Sequence, residues 1–149
     1  MYRRKVELEV FLVHPGGPFW KKKDAGAWSI PKGEYEEDEP ALDAAKREFT
    51  EETGFVATGN FLDLGVIKQP SGKIVSAWAF EGDCEPGHLV SNFCKIEWPP
   101  RSGRFVDCPE VDRGEWFALR EAKQRISIGQ VPLLDRLSQA VNKTHGESR

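Results

Sequence analysis

The segment PALDAAKREFTEETG, Pro40–Gly54, most constrains what this chain can fold into. Pro40 suits a first helical turn, where a missing N–H costs nothing. Gly54 suits the left-handed position just past a helix end. Between them Leu42, Ala45 and Phe49 recur at helical spacing. They make a narrow apolar stripe, which fits a helix laid against a sheet and not one buried all round. The segment therefore predicts a helix over Pro40–Thr53 that needs a sheet to pack on.

The rest of the chain supplies that sheet. Val6–Val13 alternates and then becomes continuously apolar, as a strand entering a core does. His14–Ala27 is rich in Gly and Pro and reads as a loop, and Trp28–Ile30 as a short extended piece. Strands are predicted at Phe61–Ile67, Lys73–Phe80, Ser91–Trp98 and Gly114–Leu119, with Pro99–Arg113 a long connection before the last. Two helical pieces follow, Arg120–Arg125 and Val131–Val141. Leu133, Leu134, Leu137 and Val141 form the buried face of the second, ahead of a polar, frayed tail. This order predicts one mixed α/β domain over residues 1–149, with helices packed on a sheet.

At 149 residues the chain is long enough to bury a real core, with five Trp and nine Phe to fill it. A net charge of −3 argues against binding nucleic acid through its backbone. The start MYRRKVELEVFLV has a basic-then-apolar look. Glu7 and Glu9 break the run, and no small-residue cleavage site follows. No apolar run approaches the roughly 20 residues that span a bilayer. Cys84, Cys94 and Cys108 are an odd set without a CxxC, which reads as reduced thiols in a cytoplasmic protein. His14, His88 and His145 lie far from them in sequence, so no zinc spacing arises.

The predicted helix carries an oddity. Gly33–Phe55 holds nine acidic residues against two basic ones, Lys46 and Arg47. Glu48, Glu51 and Glu52 stand at i, i+3 and i+4, on one face, where like charges repel by a few tenths of a kcal/mol per pair. They also lie near the helix C-terminus, where the macrodipole disfavours negative charge. A solvated acidic face is the bland explanation, but no lysines are interleaved. A hard divalent cation with oxygen ligands offsets both costs, and magnesium keeps open positions for phosphate oxygens.

Gly33, Glu39, Arg47, Glu48, Phe49, Glu51, Glu52, Gly54 and Phe55 match, at every fixed position, the 23-residue signature of the Nudix hydrolases, and on these residues the chain resembles that family. The resemblance implies a mixed β-sheet sandwiched between α-helices. It also implies magnesium-dependent hydrolysis of a nucleoside diphosphate linked to another group, with manganese as an alternative metal. It makes Glu48 and Glu52 the first choices as metal ligands. Glu51 either binds metal or takes a proton from the attacking water, and the Gly33 carbonyl reaches a metal. Arg47 holds the glutamates in place, and Glu39 anchors the loop before the helix. Many relatives carry a further glutamate six residues before a Trp in the last strand. Glu110 stands so before Trp116 and is expected to bind metal or act as general base, with Glu97 the runner-up.

The substrate is less legible. Trp28–Gly33, WSIPKG, resembles the entry to this signature in relatives that hydrolyse dinucleoside polyphosphates or diphosphoinositol polyphosphates. Lys32 is then a phosphate contact. Lys21, Lys22 and Lys23 beside Trp20 form a loop that either holds phosphates and stacks a base or is simply solvated. A nucleoside triphosphate or a dinucleoside polyphosphate is the leading class. The implied partner is a small nucleotide, with no nucleic acid or membrane, for a monomer or homodimer. The contrasting expectation is a module that senses a nucleotide without turning it over.

Overall fold

A computed structural model describes residues 1–33 and 38–147, with the side chains of 145–147 outside the description. Glu34, Glu36 and Glu37 of the acidic run, and the last two residues of the tail, lie outside the described residues. The elements are β1 (Tyr2–Arg4), β2 (Leu8–Pro15), α1 (Ala41–Thr53), β3 (Phe61–Lys68), β4 (Ile74–Phe80), β5 (Phe93–Glu97), β6 (Phe105–Pro109), β7 (Val111–Ala118), α2 (Leu119–Arg125) and α3 (Val131–Glu147).

β2 is the centre. It pairs antiparallel with β1 on one side and β7 on the other. A parallel bridge from Tyr2 to Glu81, backed by the Gly82 N–H to Tyr2 O bond of 2.9 Å, ties the end of the β3–β4 pair to β1. Every named strand pair is antiparallel, and this bridge is the parallel link between two of the sheets. β5 and β6 form a separate antiparallel ribbon.

The continuous apolar run in β2 has a simple cause: both faces of the strand are covered. Val10 and Leu12 join Phe117, Ala77 and Ala79 in a core closed by Leu133, Leu134, Leu137 and Val141 of α3. Phe11 and Val13 point the other way, into a second cluster with Val111, Phe55 and Trp116. α1 lies on that second side, with Phe49 edge-on to Phe80 at 5.1 Å between ring centroids. Helices thus cover both faces, and packing of this kind contributes most of a helix's stability. Gly114 has a packing reason here, since a Cβ at that point would collide with the Phe11 ring.

Three sequence expectations change. The supposed long connection Pro99–Arg113 contains β6 and the start of β7. Only Phe49, the last residue of α1's expected stripe, is buried, beside Ala44, Glu48, Glu52 and Thr53, while Leu42 and Ala45 are half-buried. The supposed frayed tail continues as α3 to Glu147. β1 is a further strand that the sequence reading does not separate from the Val6–Val13 run; the remaining elements fall within one or two residues of expectation, including the Gly54 cap at φ 79°, whose N–H donates to Thr50 O at 2.8 Å. The three cysteines are unbridged, with Cys94 and Cys108 opposite each other on the ribbon and Sγ to Sγ 3.9 Å. Among the described residues no helix is long and apolar enough to cross a membrane.

Candidate functional site

The site begins with the row that α1 turns inward. Ala44, Glu48 and Glu52 follow at i, i+4 and i+8, so a helix that packs its small Ala44 must also bury the two glutamates. Glu48 and Glu52 are only 9% and 7% exposed. Burying a carboxylate disfavours its charged form, and both respond. Burial pushes Glu52 up to about 8, with repulsion from Glu110 and Glu48 adding to the rise and the Lys32 N–H opposing it. Burial raises Glu48 as well, against the pull of Arg47 and with the charges of Glu51 and Glu110 adding to it.

Arg47 organises the outer row. Its Nε and Nη2 each donate to Glu39 at 3.0 Å, a bidentate fork. Its Nη1 donates to Glu48 at 2.9 Å and to both oxygens of Glu51 at 3.2 Å. One guanidinium therefore joins the loop before α1 to two of its three clustered glutamates.

The segment Trp28–Gly33 crosses this face. The Lys32 N–H donates to Glu52 Oε2 at 3.1 Å. Gly33 lies so close to Glu48 that a Cβ there would land on its carboxyl group. The segment is fixed from behind by Gln130, fully buried in the turn before α3. Gln130 accepts from the Ile30 N–H at 3.0 Å and donates to Ser29 Oγ at 3.0 Å. Ser29 also exchanges backbone bonds with Val13 of β2.

Glu110 arrives from the corner between β6 and β7. Its N–H donates to Asn92 O and its carbonyl accepts from the Gly16 N–H, both at 3.0 Å. Asn92 in turn donates its N–H to Glu51 O at 2.8 Å, tying Glu110's strand to the end of α1. The register of β2 against β7 slips between His14 and Pro15, a bulge beside the site. The buried His14 ring spans it, with Nδ1 2.9 Å from Asp112 Oδ1 and Nε2 2.6 Å from Lys23 O.

Two cavities open here. One of about 430 Å³ is walled by Glu48, Lys73, Val75, Ser76 and Trp78. The other, about 250 Å³, is walled by Trp20, Glu52, Glu110, Ser127 and Gln130. Ile30, Lys32 and Gln69 border both.

The structure thus gathers Lys32, Gly33, Glu48, Glu52 and Glu110, with Arg47, Glu39 and Glu51 joined to Glu48 on the outer side. Glu97 pairs with Phe105 on the ribbon and lines neither cavity. Lys21, Lys22 and Lys23 are exposed, and Lys23 Nζ sits 3.7 Å over the Phe19 ring. Sequence reasoning missed Gln130, Gln69 and Trp78. They meet the signature only through the fold, and nothing local distinguishes them.

The donor set fits a hard cation: buried carboxylate oxygens, and a glycine where a side chain would be in the way. Among the described residues no three acidic, histidine or cysteine side chains already share ligating distance of one point. Glu48 and Glu51 are instead turned to Arg47.

The chain matches the model of the NUDIX domain over residues 1–137. Over 91 residues it is 40% identical to an uncharacterised 17.7 kDa protein of the e-segB intergenic region of Enterobacteria phage T4, a match spanning 59% of either chain. Its fold is similar to the NUDIX domain of Shewanella oneidensis NrtR complexed with ADP ribose, at TM-score 0.65 and 16% identity, covering 94% of this chain and 82% of that one. It is also similar to a C. elegans Ap4A hydrolase in a binary complex, at TM-score 0.62 and 19% identity, covering 95% and 94%.

Proposed function

Because the chain belongs to the Nudix family, we propose that it is a magnesium-dependent hydrolase of phosphoanhydride bonds, acting on a nucleoside triphosphate or a dinucleoside polyphosphate. One observation carries this reading: two buried glutamates of α1 and Glu110 from a distant corner face cavities that meet at Ile30, Lys32 and Gln69. Two structural relatives, the domain complexed with ADP ribose and the Ap4A hydrolase, support a small nucleotide as the ligand.

Glu48, Glu52 and the Gly33 carbonyl, with Glu51 or Glu110, would hold the metal. Magnesium, or manganese in its place, supplies charge neutralisation for phosphate oxygens and acidifies the attacking water. The chain's own residues do the rest. Lys32, exposed at the border of both cavities, contacts the phosphate chain. Arg47 is a positioning residue, since it touches glutamates and not the cavities. Glu110 opens onto the same cavity as Glu52 and is the favoured base; Glu51, held by Arg47, is the second choice. In the reaction a water oxygen bonds to phosphorus and the anhydride P–O bond breaks. The leaving oxygen takes the electron pair, and a water proton passes to the carboxylate.

The test is a panel with magnesium: nucleoside triphosphates, diadenosine tetraphosphate, ADP-ribose, NADH and a diphosphoinositol phosphate, for wild type and Glu52→Gln. Turnover of a nucleotide that falls at least about 100-fold in the variant is expected, the scale of a lost transition-state contact. Tight nucleotide binding with no turnover of anything would replace the hydrolase by a sensing module.

A further inference from the structure

The site has two lobes, not one, and its chemistry sits between them. Glu48 opens to the larger lobe, while Glu52 and Glu110 open to the smaller. Lys32, Ile30 and Gln69 border both, so the acidic centre and the candidate phosphate contact occupy the junction. Together the lobes have the capacity of an ordinary small-molecule site, which is roughly 300–1,000 Å³.

Each lobe also holds one tryptophan. Trp78, half-buried on β4, walls the larger; Trp20, half-buried in the loop after β2, walls the smaller. Both lobes pair that ring with hydrogen-bonding groups: Ser76 in the first, Ser127 in the second, and Gln69 in both. A flat aromatic wall beside a few amide and hydroxyl groups suits a nucleobase, whose face stacks and whose edge hydrogen-bonds. A nucleoside triphosphate has one base and leaves one lobe without a partner.

Resting on the hydrolase reading above, we propose that the substrate has a base at both ends of its phosphate chain. It is a dinucleoside polyphosphate, with Trp78 and Trp20 each stacking one base and the phosphates crossing at Lys32. Trp20 and Trp78 are then the residues that set substrate length.

The experiment is calorimetric titration, with magnesium, of two non-hydrolysable ligands. One is a methylene-bridged dinucleoside tetraphosphate and the other a methylene-bridged nucleoside triphosphate. The proteins are wild type, Trp20→Ala, Trp78→Ala, and the phenylalanine variant at each position, which keeps a ring if the alanine variant folds poorly. Stacking on one aromatic predicts roughly a tenfold or greater loss of affinity per alanine variant for the two-ended ligand. The phenylalanine variants recover most of it, and the one-ended ligand responds to only one of the two positions. Equal wild-type affinity for both ligands overturns the proposal, as does an alanine variant at either position that leaves the two-ended affinity unchanged. A parallel hydrolysis assay separates the two levels. Turnover of triphosphates with no preference for the two-ended substrate removes this inference and leaves the hydrolase standing; no turnover of any phosphoanhydride removes both.

Discussion

At the scale of single residues, the site is a problem of room and charge. Gly33 has no side chain because Glu48 occupies the space one would need. Gly33→Ala must push the Glu48 carboxyl aside. That end of the side chain is flexible, so the backbone need not move and folding should survive. Displacing a ligand-bearing group by about 1 Å costs on the order of 100-fold in rate. The expected result for Gly33→Ala is an unchanged circular dichroism spectrum with kcat down by roughly that factor. Retained wild-type kcat would show that Glu48 has no fixed place in the reaction. The residues of the signature were legible in the sequence because a helix fixes their spacing. Gln130 was not: it fixes Ile30 from 100 positions away, a contact that exists only once α3 has packed.

At the scale of elements, α1 is held by its ends as much as by its stripe. Gly54 takes φ 79° and closes the helix, while Val90 N–H donates to Thr53 O at 2.9 Å just beyond. A Cβ at Gly54 would be 3.1 Å from Val90 O and in a left-handed conformation. Gly54→Ala is therefore expected to lower stability by about 1 kcal/mol, and Gly54→Asn by less, since Asn tolerates that region. Urea denaturation measures this; equal midpoints for the two variants would mean that the cap conformation is not what limits α1. This cap and the helix were legible because Pro and Gly punctuate the chain. β6 was not. Its residues Phe105–Asp107 are exposed, so no alternation marks it, and Pro99, Pro100, Ser102 and Gly103 before it read as loop. The helix's inward row was misread for a related reason. Hydrophobic periodicity points to Leu42 and Ala45, whereas the protein buries Glu48 and Glu52, a choice made by chemistry and not by hydrophobicity.

At the scale of the whole molecule, that buried row sets stability against function. Without metal, Glu52 is pushed up to about 8 by burial, with the charges of Glu110 and Glu48 adding to the rise and the Lys32 N–H opposing it. An unfolded glutamate titrates near its ordinary 4.5. Below that value the residue is protonated in both states and costs nothing. As pH rises toward 8 the unfolded chain ionises while the folded one keeps its proton, so stability is lost across that window and the loss is complete above it. Glu52→Gln lacks this term. In the presence of a chelator the variant should be increasingly more stable than wild type from pH 4.5 upward, levelling off above pH 8, by an amount on the order of 2–4 kcal/mol. Glu48 is buried in both proteins, so its own burial cost largely cancels in the comparison. Magnesium should reverse the order at pH 8, because a cation that binds only the folded state stabilises wild type and not the variant. Thermal unfolding of both proteins across this pH range, with chelator and with magnesium, measures each limb. A stability difference that stays flat with pH would mean that Glu52 reaches solvent in the metal-free fold. A variant stabilised by magnesium as much as wild type would take Glu52 out of the ligand set.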